Sequence, residues 1–353
     1  MSKDFRWGII GTGGIARTFA RDLSFTQGHV VAAVGSRELA KAETFAQEFN
    51  AAPYGSYEEL AQQEVDGVYV ATPHPMHAPN TILALENGKP VLCEKPFAVN
   101  SRESAAMIET ARRNNLLLVE AMWSRFLPTY RKIRELMSSE LLGEVQAIFA
   151  DFGELLPEFK HHRLHSPTLA GGSLLDLGIY PISFAFMLLG KPSLVTAKAE
   201  FTLSGVDSNT FVTFRYPNGA RAELSCSLAL KTPCTAVVHG TQGSLFIDGE
   251  FFRPTSMRLI RNSRESIEFS NDYTGSGLRE QAIEFAKLIS EGKKESDLMT
   301  HNDTQSIMET LDEIRSQIGL RYPFEDQKEN LVTDEQDQLR LPNQHHYPTS
   351  QER

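Results

Sequence analysis

Two stretches of this sequence hold ionisable side chains where chemistry could be done. The first is Val91-Leu92-Cys93-Glu94-Lys95-Pro96, an apolar strand-like run ending in a carboxylate and an ammonium. Such a charged end lies at the edge where open α/β sheets bind ligands. A Lys there lowers the pKa of a neighbouring acid or hydrogen-bonds a hydroxyl. The second is Gly171-Gly172-Ser173-Leu174-Leu175-Asp176-Leu177-Gly178-Ile179-Tyr180-Pro181. Asp176 and Tyr180 stand four residues apart, so on a helix they share a face.

A third segment binds rather than reacts. Gly11-Thr12-Gly13-Gly14-Ile15-Ala16 has the form G-x-G-x-x-A. It follows an apolar run and opens a helical pattern, the context in which this spacing holds a dinucleotide. Gly11 permits a tight turn, Gly13 lets a pyrophosphate approach the backbone, and Ala16 permits close packing of helix on strand. The phosphates would sit at the helix N-terminus. Where an NAD-binding chain carries an acid for the ribose hydroxyl, this one has Ser36 followed by Arg37, with Lys41 one helical turn on. A hydroxyl and a guanidinium suit a 2′-phosphate, which a carboxylate would repel. The expected cofactor is therefore NADP(H). Glu38 argues for NAD(H), because a small shift of register would put it at the ribose.

These segments need a parallel sheet to carry them. Short apolar runs at 5–10, 30–34, 66–71, 90–93 and 116–120 alternate with helical patterns at about 12–24, 38–49, 77–88 and 101–114, which reads as βαβ units and a doubly wound Rossmann sheet. After about residue 121 the pattern changes. A helix at about 128–139 leads to strands at about 145–154, 194–203, 207–216, 220–230, 234–240, 243–248 and 257–269, with hairpin signals at Pro217-Asn218-Gly219 and Asp248-Gly249. Helices at about 278–292 and 301–318 close this part. The expected fold is α/β, with a dinucleotide-binding domain at 1–121. An α+β substrate domain with a large open, mostly antiparallel sheet follows at 122–325, and a polar tail at 326–353. The open face of the second sheet needs a cover, and a second copy of the chain, as a homodimer or higher oligomer, is the expected one.

Bulk properties exclude several classes. The chain has 353 residues, enough for two hydrophobic cores, and a formal net charge of −10, which speaks against nucleic acid as a partner. No run is read as reaching the roughly 18 apolar residues that span a bilayer, and the N-terminus lacks a signal-peptide core. With Cys93, Cys226 and Cys234 at no metal-like spacing, a reduced cytoplasmic setting is expected. Cys93 reads as a buried strand residue rather than a nucleophile. His74 and His77 in Pro73-His74-Pro75-Met76-His77 do not make a metal site, and neither do the histidines of His161-His162-Arg163-Leu164-His165.

Taken together, Gly11–Ala16, Ala71-Thr72-Pro73, Glu94-Lys95-Pro96 and Gly-Gly-x-x-x-Asp-x-Gly resemble the Gfo/Idh/MocA oxidoreductase family over nearly all of residues 5–320. Glu120-Ala121-Met122-Trp123-Ser124-Arg125-Phe126, Arg163 and the Tyr at 180 are similar to its dihydrodiol dehydrogenase and D-xylose dehydrogenase branch; many other members carry His in place of that Tyr. The resemblance implies chemistry without a metal, on a CH–OH group of a small cyclic sugar, polyol or dihydrodiol. Tyr180 would be the acid/base, assisted by Lys95, with Asp176 orienting Lys95 or substrate. It also puts Thr72, Pro73, His77, Glu94 and Lys95 beside the cofactor, and Trp123, Arg125, Phe126 and Arg163 around the substrate. The alternatives are an NAD(H)-dependent reductase of another carbonyl compound, a glycosidase using the cofactor transiently, and an inert dinucleotide-binding regulator. The presence of Lys95, Asp176 and Tyr180 together weighs against the last.

Overall fold

The computed structural model describes residues 4–139, 141–156, 162–271 and 273–325. The expected polar tail, and part of the His161–His165 run, lie outside them. The first half runs β1 (Phe5–Ile10), α1 (Gly14–Leu23), β2 (His29–Gly35), α2 (Leu39–Phe49), β3 (Ala52–Tyr54), α3 (Tyr57–Ala61), β4 (Gly67–Val70), α4 (His77–Glu86), β5 (Val91–Glu94), α5 (Ser101–Arg113) and β6 (Leu118–Ala121). All six strands are parallel, in the order β3-β2-β1-β4-β5-β6, which is the doubly wound Rossmann arrangement. Buried on both faces, β4, β5 and β6 show no exposed position, as central parallel strands must. The short β3 and α3 carry too few residues to show a period, and the sequence reading passed over them.

Register matters more to the site than length. Ile10 pairs with Val70, Val70 with Cys93, and Glu94 with Ala121. The ends of β1, β4, β5 and β6 thus lie side by side, and the residues that follow each strand (Gly11, Ala71-Thr72, Lys95, Met122-Trp123) emerge along one edge.

The second half runs α6 (Pro128–Met137), β7 (Val145–Gly153), a π turn at Leu174–Gly178 leading into α7 (Ile179–Leu189), then β8 (Leu194–Phe201), β9 (Asp207–Arg215), β10 (Arg221–Ser227), β11 (Ala236–Gly240), β12 (Gly243–Ile247), β13 (Ser256–Arg261), β14 (Ser266–Ser270), α8 (Arg279–Ser290) and α9 (His301–Ile318). Its eight-stranded sheet is ordered β14-β13-β12-β11-β7-β10-β9-β8, antiparallel except where β10 lies parallel to β7. The single strand expected at 257–269 is in fact a hairpin. Arg261 N–H donates to Glu265 O at 2.8 Å, and Arg264 takes a positive φ of 69° at the turn. One segment, Pro167–Leu189, is long and apolar enough by composition to cross a bilayer, contrary to the expectation that none would be. It is 83% buried within the fold, so its apolar surface forms the core.

Residues 1–320 form one compact unit, and α9 shows why. It returns from the second half to the first: His301 Nε2 meets Leu118 O, Thr304 Oγ1 donates to Glu120 Oε2, and Arg315 donates to Val99 O. At its far end Gln317 Oε1 accepts the N–H of Ala197 on β8. Arg125, expected at the substrate pocket, belongs to this bracing instead. It is 1% exposed; its guanidinium donates to Ser183 Oγ and Ser183 O on α7, each at 2.9 Å, and to Asp303 on α9 at 2.9 Å. Phe126 is likewise buried in the core. Arg125→Ala strands these acceptors, and an unfolding free energy lower by about 3 kcal/mol is expected from urea titration; a midpoint equal to that of the wild type would contradict the bracing role.

Candidate active site

Each strand-end turn is held by its own local chemistry. Gly11 has φ 108°, and a Cβ there would lie 2.6 Å from Ala71 O, so only glycine lets β1 turn beside the end of β4. After β4, the Thr72 hydroxyl accepts from Asn80 Nδ2 at 3.1 Å, and Pro73 opens the 3₁₀ turn His74–Met76. His77, expected beside the cofactor, is 1% exposed and braces this turn to the next: Nε2 lies 2.8 Å from Thr72 O and Nδ1 2.8 Å from Pro96 O. Glu94, also expected at the cofactor, has both carboxylate oxygens engaged within the sheet, one by Tyr69 OH and one by the Lys95 N–H. Burial pushes its pKa up to about 7.

The turn carrying Asp176 and Tyr180 is fixed from below. Asp207, at the start of β9, accepts Ser173 Oγ at 2.6 Å and Leu174 N–H at 2.7 Å. Gly172 (φ 114°) lies so close that a Cβ would stand 2.0 Å from Asp207 Oδ1, and a Cβ on Gly171 would stand 2.4 Å from Leu164 O. Gly178 lets the turn lie against Cys226. The helix here widens to a π turn rather than the regular helix expected. Pro181, five residues after Asp176, has no N–H to return to the Asp176 carbonyl. That carbonyl accepts Lys95 Nζ instead, at 2.9 Å.

The two charged segments therefore meet. Lys95 Nζ lies 3.3 Å from Asp176 Oδ1, and the same oxygen lies 2.9 Å from Arg163 Nη2 and 3.2 Å from His74 Nε2. His74 Nδ1 lies 3.0 Å from Ala170 O, and Nε2 lies 3.2 Å from Arg163 Nη1 as well as from Asp176 Oδ1. Burial lowers the His74 pKa, while the Asp176 carboxylate pulls it up. Burial raises the Asp176 pKa, but Lys95, His74 and Arg163 outweigh it and hold the carboxyl well below the usual range. Burial opposes the charge on Lys95, yet Asp176, Tyr180 and Glu94 keep its pKa above the ordinary lysine value. Lys95 Nζ also sits 5.0 Å from the centre of the Tyr180 ring, and Trp123 Nε1 donates to Tyr180 Oη at 2.8 Å. Burial raises the Tyr180 pKa, with Lys95 pulling down and Glu94 pushing up, and the net direction is upward. At neutral pH Tyr180 is a phenol, a proton donor.

Sequence reasoning missed His74. It places Thr72, Pro73 and His77 of this loop beside the cofactor but takes His74 only as half of a rejected metal motif. Among the described residues, no group of three His, Cys, Asp or Glu side chains could hold a metal ion. Cys93 is fully buried, and burial pushes its thiol pKa up, away from a nucleophile.

At the other end of the same edge, α1 begins at an extended Gly13 with no side-chain cap and no acid in its first turn. Among the described residues no side chain caps its first N–H groups, and a Cβ on Gly13 or Gly14 would meet nothing within 4 Å. Ile15 is exposed beside them. This cradle fits a pyrophosphate. Beyond β2, Arg37 borders a cleft of about 560 Å³ with Gly55, Ser56, Tyr57 and Asn80. The Ser36 hydroxyl accepts the Glu38 N–H at 3.3 Å, and Lys41 is ion-paired to Glu38 at 2.6 Å, so its charge is partly spent there.

Comparison with known proteins gives the family and the fold. Residues 5–122 match the family described as "Oxidoreductase family, NAD-binding Rossmann fold", and residues 130–246 match the Gfo/Idh/MocA C-terminal domain. The chain belongs to the Gfo/Idh/MocA oxidoreductase family. A trans-1,2-dihydrobenzene-1,2-diol dehydrogenase of Xenopus tropicalis is 36% identical over 332 residues, covering 90% of this chain and 99% of that protein. A D-xylose 1-dehydrogenase (NADP(+)) of Hypocrea jecorina is 34% identical over 364 residues, covering 90% and 93%. The fold is shared with the 3-ketoreductase KijD10 of Actinomadura kijaniata, solved with NADP and TDP-benzene, at a TM-score of 0.81 and 24% identity, covering 90% of this chain and 98% of that one.

Proposed function

We propose that this member of the family is an NADP(H)-dependent oxidoreductase that exchanges hydride with a CH–OH group of a small cyclic sugar, polyol or trans-dihydrodiol. The observation that carries the reading is the Lys95–Asp176–Tyr180 cluster at the sheet edge that also holds the Gly11–Gly14 turn. The diol and D-xylose dehydrogenases among the relatives support the substrate class.

Gly11, Thr12, Gly13, Gly14 and Ile15 would hold the pyrophosphate, and Ser36 and Arg37 the 2′-phosphate. Bound NADP(H) supplies hydride exchange with the substrate carbon. In reduction, Tyr180 gives its phenolic proton to the carbonyl oxygen; in oxidation, the phenolate takes the hydroxyl proton back. Lys95, with two of its N–H interactions spent on Asp176, has one left for the substrate oxygen, and its charge stabilises the phenolate. Asp176 holds that ammonium in place, and Arg163 and His74 hold Asp176. The same reading includes a second copy of the chain against the open face of the large sheet, where Phe149 and Phe211 are exposed.

Because the Tyr180 pKa lies above its ordinary value, the base form needed for oxidation is scarce at neutral pH. The kcat for oxidation of trans-1,2-dihydrobenzene-1,2-diol or D-xylose is expected to rise about tenfold per pH unit from pH 6 to 9. Tyr180→Phe is expected to lower it about 100-fold or more with little change in NADPH affinity; turnover like that of the wild type would remove the acid/base role. For the cofactor, Arg37→Ala should weaken NADPH binding, followed by nicotinamide fluorescence, about tenfold or more and leave NADH binding within about twofold. Equal losses for both cofactors would overturn the 2′-phosphate assignment.

A further inference from the structure

Tyr180 is approached by two groups that donate hydrogen bonds and accept none. Trp123 Nε1 lies 2.8 Å from Tyr180 Oη. An indole N–H only donates, so at this contact the phenol oxygen is the acceptor and its own hydrogen must point elsewhere. Lys95, whose ammonium lies 5.0 Å from the ring centre, is also a donor only. Among the described residues, no other hydrogen bond reaches Oη.

The contact is built, not incidental. Trp123 sits on the 3₁₀ turn Trp123–Phe126 that leaves β6, and it is 6% exposed. Gly277 (φ 91°) packs against it so closely that a Cβ would stand 3.2 Å from Trp123 Cζ3. Phe252 meets the indole edge-on with ring centres 6.0 Å apart, and lies flat on Phe152 at 4.3 Å. Both phenylalanines lie 5.3 Å from the Tyr180 ring. The aromatic cluster thus fixes both partners of one hydrogen bond.

We propose that Trp123 is a positioning residue for proton transfer, turning the Tyr180 O–H toward the reacting oxygen and holding the phenolate that remains. This rests on the reading of Tyr180 as the acid/base residue. In reduction the Tyr180 O–H bond breaks and an O–H bond forms on the substrate oxygen, while hydride from the reduced nicotinamide cofactor adds to the carbon. The electron pair left on Oη keeps the Trp123 N–H as its donor, and oxidation runs the same steps backwards. The other charged and titratable groups facing Tyr180 are Glu94 at the end of β5 and Lys95 just after it, Asp176 from the π turn, Arg253 from the segment after β12, Tyr69 from β4 and Tyr130 from α6. None of these changes when Trp123 is replaced by another ring.

The test compares Trp123→Phe, Trp123→His, Tyr180→Phe and the double variant Trp123→Phe/Tyr180→Phe with the wild type. Each is assayed from pH 6 to 10.5 with NADP⁺ and trans-1,2-dihydrobenzene-1,2-diol. Tyrosinate difference absorption, wild type minus Tyr180→Phe, follows the same ionisation without substrate. In Trp123→Phe the rising limb and the Tyr180 ionisation should both move up by about one pH unit. The kcat at pH 7.5 should fall about tenfold or more, with NADPH affinity and KM within about threefold. Trp123→His, which keeps a ring N–H, should recover part of the loss. In the Tyr180→Phe background the Trp123→Phe change should cost nothing further. An unmoved Tyr180 ionisation, or an equal cost of Trp123→Phe with and without the Tyr180 hydroxyl, would overturn the proposal and leave Trp123 as a wall of the substrate site. Full activity in Tyr180→Phe would instead remove the acid/base reading itself. If Trp123→Phe fails to fold, Trp123→Leu, which likewise has no N–H to donate, takes its place in both measurements, with the same outcomes expected.

Discussion

One carboxylate oxygen, Asp176 Oδ1, lies within 3.3 Å of Lys95 Nζ, Arg163 Nη2 and His74 Nε2; Asp176, His74 and Lys95 are largely shielded from water, and Arg163 reaches in from the surface. A buried ammonium on its own is costly and tends to lose its proton. Beside Asp176, Lys95 keeps its charge and a fixed place near the Tyr180 ring. The pair joins the two halves of the chain at one point, because Lys95 follows a strand of the parallel sheet and Asp176 lies on a turn seated against the antiparallel one. Arg163 and His74 fix the carboxylate in turn, so its position does not depend on Lys95 alone.

The rest of the architecture can be read as what this contact requires. Strand register brings the ends of β1, β4, β5 and β6 to one edge, which supplies the dinucleotide turn, the His74 loop, Lys95 and Trp123 in adjacent positions. Asp207 anchors the Asp176 turn from β9, and the missing N–H of Pro181 leaves the Asp176 carbonyl for Lys95. Arg125 and α9 then lock the halves together. The glycines of the Gly171-Gly172 pair serve close approach to Asp207 and Leu164, so a motif that reads as functional is in its first two residues a packing device.

Much of this was legible in the sequence. Alternating apolar runs and helical periods marked the parallel sheet, because strands buried on both faces must be continuously apolar. The glycine spacing after β1 marked the dinucleotide turn, and the charged end of the Val91–Glu94 run marked the edge. Local pattern was silent on tertiary choices. Nothing near Arg125 in the chain shows that its partners are Ser183 and Asp303. The β13–β14 turn hid because it uses Arg264 at positive φ, where a glycine would have been read at once. Glu94 and His77 were placed at the correct edge, but their polar atoms are turned inward to other strand ends.

The account depends most on the claim that the Asp176 charge holds Lys95 in its working position. Single-turnover hydride transfer in Asp176→Asn, followed by nicotinamide absorbance with trans-1,2-dihydrobenzene-1,2-diol and saturating NADP⁺, tests it directly. The account predicts a rate about 100-fold or more below that of the wild type with NADPH affinity retained; hydride transfer at the wild-type rate would contradict it.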